Sequence, residues 1–145
     1  MTTLHMPWVS ALTAGVLLVL QMLLMLSAAL NRGRSRRAAG GDGDNGDPEL
    51  TRRVRRHGNL AENAAIFVAG YTLLELLGEN QQRLEIACGV FVLARLLHAI
   101  GFSFRNTANL ARVSGVILTL GSGLYLGARL VQIAVMHLCP VIGGL

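Results

Sequence analysis

Residues 47–62 read DPELTRRVRRHGNLAE and residues 63–77 continue NAAIFVAGYTLLELL. Asp47 followed by Pro48 is a helix start, because a short carboxylate suits the N-cap and proline suits a first turn whose N–H has no intrahelical partner. The helix then runs from an Arg-rich beginning into an apolar stretch at Ala61, as expected of a rod entering a bilayer from its polar surface. Within it, Arg52, Arg55, Asn59 and Glu62 fall at offsets 0, 3, 7 and 10. At 3.6 residues per turn those offsets confine them to an arc of roughly 80°. The same offsets recur at Arg95, His98, Phe102 and Arg105, at the far end of another apolar run. A charge at the bilayer centre costs about 2.5 to 3.5 kcal/mol on an insertion scale, so polar stripes on oily helices mark a site.

The rest of the chain has the composition of a membrane protein. Of 145 residues, 52% are hydrophobic and only 14% charged, against roughly 25% charged in soluble domains, and the mean hydropathy is +0.51. A helix needs roughly 20 residues to cross the hydrocarbon, and the aliphatic runs predict spans at about 8–30, 48–77, 82–104 and 109–138. The expected fold is all-α, one integral membrane four-helix bundle over residues 1–145. The first run is expected to be a retained helix and not a cleaved signal. No Arg or Lys precedes it, its apolar core is long, and Arg32, Arg34, Arg36 and Arg37 follow it as a stop-transfer signal.

Eight of the 13 Arg residues lie between the apolar run that ends at Leu30 and the one that begins at Ala61, and Arg105 and Arg112 lie around the connection between spans three and four. The positive-inside rule places both connections in the cytoplasm and both termini on the other side. Arg55, Asn59, Glu62, Arg95, His98 and Arg112 then share the cytoplasmic half of the membrane. The absence of Lys, with abundant Ala, Gly and Leu, is the signature of a GC-rich genome and points to a bacterial inner membrane. Residues 33–46, with GGDGDNG at 40–46, predict a flexible loop. The two cysteines, Cys88 and Cys139, form no disulfide framework and no metal-ligand spacing, so no metal is expected. A pI near 10.6 is explained by juxtamembrane Arg and anionic lipid, not by nucleic acid.

The Arg55, Asn59 and Glu62 face offers guanidinium donors, an amide and a carboxylate, a set that holds a zwitterion. The competing reading is that these groups satisfy one another within the bundle or snorkel to the interface. Arg95 stays charged when buried and needs an anion, either Glu62 or a ligand. For His98 a plain helix-to-helix hydrogen bond is the simpler reading. In span four, Gly115, Thr119, Gly121, Gly123 and Gly127 provide small residues for close helix contact. Ser122, Tyr125 and Arg129 are read as packing or anchoring groups.

The stretch from Asp47 to Glu62, with its R-x-x-R-x-H-x-N-x-x-E spacing, and the R-x-x-H pair Arg95 and His98 resemble the MAPEG family, the membrane-associated proteins in eicosanoid and glutathione metabolism. The resemblance covers essentially the whole chain. It implies a left-handed four-helix bundle assembled as a homotrimer, with glutathione between neighbouring subunits near the cytoplasmic side. It carries over Arg55, Asn59 and Glu62, with Arg52 at the head of the same stripe, as residues that hold glutathione, and Arg95 and His98 as a pair facing the same cavity. Arg112, with Arg105 as its competitor, matches the arginine that activates the thiol. Asn31 and Arg32 are implied contributions from the adjacent subunit. Phe102 departs from the pattern, standing where the eicosanoid enzymes carry Tyr. Gly58 stands where some relatives have a basic residue, and Thr51 replaces an acidic one.

Three functions compete on this sequence. The first is a glutathione-dependent transferase or peroxidase, with glutathione as cosubstrate and an apolar small molecule as partner. The second is a noncatalytic membrane scaffold binding lipid or another thiol. The third, a small transporter subunit, fits less well, because transporters place polar groups near the midplane on broken helices, whereas these cluster toward one face.

Overall fold

Asp47 begins the second helix by accepting from the N–H groups of Glu49 at 2.9 Å and Leu50 at 3.3 Å, with Pro48 at the first helical position. A computed structural model describes residues 6–39, 47–104 and 109–142, and their regular structure is entirely helical. The helices are α1 (Trp8–Ala39), α2 (Pro48–Leu76), α3 (Gln81–Gly101) and α4 (Leu110–Ile142). Three contain stretches long and apolar enough to cross a membrane, at Trp8–Arg34, Gln81–Gly101 and Leu110–Cys139. The chain is an integral membrane protein. α2 is not among the three because its first half carries the charges, although its 29 residues reach about 44 Å at 1.5 Å per residue. α1 continues to Ala39 where the composition of 33–46 predicts a loop, since the Arg- and Ala-rich segment 34–39 has good helix propensity. Residues 40–46 lie outside the described residues.

α1 packs chiefly on α2 and α3 chiefly on α4; α2 and α3 touch each other, and α1 and α4 make no contact among the described residues. The cross-section is therefore a rhombus with α2 and α3 on its short diagonal. Its core is aromatic: Phe67 of α2 stacks on Phe91 of α3 with centroids 3.9 Å apart, and Tyr71 tilts against both. Leu17, Leu24, Leu60, Leu74, Leu84, Cys88 and Leu126 complete it. Outward faces such as Leu12, Leu18 and Leu23 of α1, and Leu120, Leu124 and Val131 of α4, are apolar and exposed, the distribution a lipid solvent selects.

Between α2 and α3 the chain turns at Gly78, whose φ of 79° lies in the left-handed region that favours glycine. Asn80 then caps α3 by accepting from Arg83 N–H at 3.1 Å. At the opposite end, Asn109 joins α3 to α4. Its amide donates to Gly101 O at 2.7 Å and its oxygen accepts from Arg112 N–H at 2.9 Å. A Cβ on Gly101 would sit 2.6 Å from the Arg112 backbone nitrogen, so the absence of a side chain there brings the start of α4 against the end of α3.

Candidate functional site

The centre of the polar region is a guanidinium between three helices. Arg95, 3% exposed, lies on the same face of α3 as Leu84, Cys88, Phe91 and His98. Its Nη1 donates to Asn59 Oδ1 on α2 at 2.9 Å and its Nη2 to Thr119 Oγ1 on α4 at 2.5 Å. Thr119 in turn donates to Gly115 O one turn back. The Nε of Arg95 is buried with no hydrogen-bond partner among the described residues. Every partner is neutral, so Glu62, offered by the sequence as the counter-ion, does not fill that role. Thr119 is the residue that reading missed as a site member. Its place one turn from Gly115, on the face α4 shows to α3, was the available signal.

Next to this group His98, buried, meets the ring of Phe102 edge-on with centroids 5.0 Å apart. The guanidinium of Arg112 lies 4.3 Å above the centroid of the same ring. Phe102 thus joins the end of α3 to the start of α4. The close approach depends on Gly115, where a Cβ would fall 2.7 Å from His98 N and 2.8 Å from Ala94 O. Among the other small residues of α4, Gly123 faces Phe67, whereas a Cβ at Gly121 or Gly127 would meet nothing within 4 Å.

The remaining members of the α2 stripe divide. Arg52 turns back to Glu49 at 2.5 Å, as does Arg53 at 2.7 Å. Arg53 and Arg56 both donate to Ser27 of α1, and Arg56 also reaches Ser103 beyond α3. Those two arginines brace the bundle. Arg55 and Glu62 are exposed, and neither makes an ion pair or hydrogen bond among the described residues. They share an outward face with Ile66 and Leu73, which are also exposed. Arg32 lies exposed near the end of α1, and Arg105 lies outside the described residues. The structure therefore unites Asn59, Arg95 and Thr119 with His98, Phe102 and Arg112 alongside, and leaves Arg55 and Glu62 on an open surface of the single chain. Among the described residues, no group of three or more His, Cys, Asp or Glu side chains is placed to hold a metal ion.

The opposite end of the bundle has its own polar anchors, which periodicity does not reveal. Glu75 accepts from the Val9 and Ser10 N–H groups at 2.9 and 2.8 Å, capping α1 from α2. The Glu79 side chain, 2% exposed, pairs with Arg129 of α4 at 2.6 Å.

The MAPEG family model matches residues 10–136 of the chain, a span that contains the Asn59, Arg95 and Thr119 cluster and most of every helix. None of the curated proteins matches it.

Proposed function

The chain belongs to the MAPEG family, and on that premise we propose that it is a membrane-bound glutathione-dependent transferase or peroxidase acting on lipophilic electrophiles. The observation that carries the proposal is the oppositely charged Arg55 and Glu62, on an exposed face and without hydrogen-bond or ion-pair partners among the described residues, on the same helix as the Asn59 that holds a buried Arg95 whose hydrogen-bond partners are all neutral. An unpaired carboxylate and guanidinium on a face otherwise made of Ile66 and Leu73 are unfavourable against lipid. A second copy of the chain and a zwitterionic ligand between the two would relieve that cost, which supports a homotrimer with glutathione at the subunit boundary. Arg55 suits its carboxylates, Glu62 and Asn59 suit its ammonium and peptide groups, and the buried Arg95 holds Asn59 in place through their hydrogen bond.

The thiol of such a ligand, with an ordinary pKa of about 8.5, is mostly protonated at pH 7. A guanidinium beside the sulfur favours the thiolate, and a fall of one pKa unit raises its fraction about eightfold. Arg112 is assigned this part, with the Phe102 ring fixing its direction. An apolar electrophile would arrive sideways from the lipid. The reading places the Arg95 end of the bundle on the cytoplasmic side of a bacterial inner membrane.

The test is turnover of glutathione and a chromogenic electrophile by detergent-purified protein, with native mass spectrometry for the assembly. Arg112→Ala is expected to lose turnover while keeping glutathione affinity, and Arg55→Ala to lose affinity. Absence of glutathione binding in the wild type would overturn the proposal, as would a stable monomer.

A further inference from the structure

At the end of the bundle that carries the α2–α3 turn, away from the Arg95 cluster, α3 and α4 part to leave an open groove of about 320 Å³. Ile86, Ala87 and Val90 line it from α3, and Gly121, Ser122 and Tyr125 from α4. The walls are apolar except for Ser122, a buried residue whose hydroxyl finds no hydrogen-bond partner among the described residues. Arg83 stands at the mouth, in the first turn of α3. From there the groove runs past Val90, seven residues or about 10 Å along the helix axis, toward the middle of the span Gln81–Gly101.

Charge at the mouth is unbalanced toward the positive. Glu79 is held by Arg129 at 2.6 Å and by Arg83 only at 4.0 Å, and the Arg83 side chain is 65% exposed. Two guanidinium groups thus share one carboxylate, leaving one positive charge in excess. The neighbouring groove between α1 and α3, about 450 Å³ and lined by Trp8, Leu12, Val16 and Val92, is bounded by Glu85 instead. Arg83 and Glu85 are about 200° apart around α3, so the helix offers a cation to one groove and an anion to the other.

We propose that the α3–α4 groove binds an anionic phospholipid, with its phosphate on Arg83 and an acyl chain laid between Ile86, Val90 and Tyr125. A guanidinium at the mouth of an apolar groove pairs with a phosphate through charge-assisted hydrogen bonds, and the volume falls in the range of sites that enclose part of an apolar ligand. The site is separate from the proposed thiol site and does not depend on it.

Native mass spectrometry of the purified full chain in detergent, titrated with phosphatidylglycerol or phosphatidylcholine of equal chain length, tests this. Wild type is expected to favour phosphatidylglycerol, and Arg83→Gln to lower its affinity for that lipid by about fivefold, the share of one basic side chain at a membrane surface. Glu85→Gln, on the other groove, is expected to leave the affinity unchanged. Gly121→Phe, which projects a ring into open space beside the groove, is expected to weaken both lipids. Circular dichroism identifies any variant that fails to fold, and Ser122→Leu, which fills the same groove from its floor, replaces it. Equal phosphatidylglycerol binding in Arg83→Gln and wild type would overturn the proposal. So would a change of oligomeric state in Gly121→Phe with lipid binding intact, which would assign the groove to a second copy of the chain.

Discussion

Arg95 of α3 and Asn59 of α2, 36 positions apart, are joined by a 2.9 Å hydrogen bond, and the same guanidinium reaches Thr119 of α4. One side chain thereby ties three helices together. Because its hydrogen-bond partners among the described residues are neutral, the charge is stabilised by their dipoles and by the Phe91 ring, whose centroid lies 5.8 Å away, and each of them matters. Asn59→Ala is expected to destabilise the protein by about 2 kcal/mol, the usual worth of a hydrogen bond to a charged group. Denaturant titration in detergent measures it. In the double variant Asn59→Ala with Arg95→Met most of that loss should vanish, since no buried charge remains to be satisfied. An additive double variant would show that the bond does not stabilise the bundle.

The interface that brings Thr119 to Arg95 rests on one glycine. At Gly115 an added Cβ would meet backbone atoms of His98 and Ala94 at 2.7 and 2.8 Å, and backbone cannot rotate away as a side chain can. Gly115→Ala is expected to cost about 1 to 3 kcal/mol by overpacking. Gly127→Ala, with open space around it, should stabilise α4 by a few tenths to about 1 kcal/mol through helix propensity. Thermal unfolding of the two variants side by side is the measurement, and a similar change in both would show that α3 and α4 are not in close contact there.

At the other end, Glu79 and Arg129 form a pair whose carboxylate is 2% exposed. Removing only the cation strands a buried charge, with Arg83 as its remaining neighbour at 4.0 Å. Arg129→Met is expected to cost about 3 kcal/mol, at the lower edge for breaking a buried pair because Arg129 keeps some solvent access. Replacing both partners with apolar residues should restore much of the loss. If Arg129→Met melts with the wild type, the pair is a surface contact and not an anchor.

Local chemistry was readable in the sequence and distant pairing was not. Asp47 and Pro48 mark the start of α2 because capping involves neighbours within three residues, and the observed bonds to Glu49 and Leu50 are those neighbours. The α1 cap could not be found that way, since its acceptor, Glu75, lies 65 to 66 positions from the amides it serves. Periodicity put Arg55, Asn59 and Glu62 on one arc, but an arc does not say which way it points. Asn59 stands at the inner edge and reaches Arg95, while Arg55 and Glu62 look outward. The small residues of α4 show the same limit. Their spacing promises contact for all, yet the helix buries Gly115, sets Gly123 against Phe67 and turns Gly121 and Gly127 away. Ser27 of α1, 26 and 29 positions from its donors, is the acceptor for both Arg53 and Arg56.

Capping of α1 from α2 gives a prediction that no other contact mimics. Both oxygens of Glu75 are used, one for Val9 N–H and one for Ser10 N–H. Glu75→Gln keeps one acceptor and substitutes a donor for the other, while removing a negative charge from a helix N-terminus. The expected loss is about 1 to 2 kcal/mol. Hydrogen exchange should accelerate at Val9 and Ser10 before it does in the middle of α1, and uniform exchange along the helix would show that Glu75 does not hold this end.

Phe102 offers a test of the proposed thiol site that is independent of Arg112. Its ring lies between His98 and Arg112, at the place where the eicosanoid enzymes carry Tyr. Phe102→Tyr keeps the ring and adds a hydroxyl able to reach a ligand held beside Arg112. One neutral hydrogen bond is worth about 1 kcal/mol, so glutathione affinity should rise about fivefold. Phe102→Leu removes the platform under the guanidinium, a contact worth about 0.5 to 1 kcal/mol. Turnover should then fall while glutathione binding changes little, because the guanidinium loses its direction and not its charge. Calorimetric titration and steady-state rates separate the two effects. If neither substitution moves either quantity while the protein stays folded, the ring faces away from the thiol. Arg112, fixed by the same ring, would then lose its assigned part in activation.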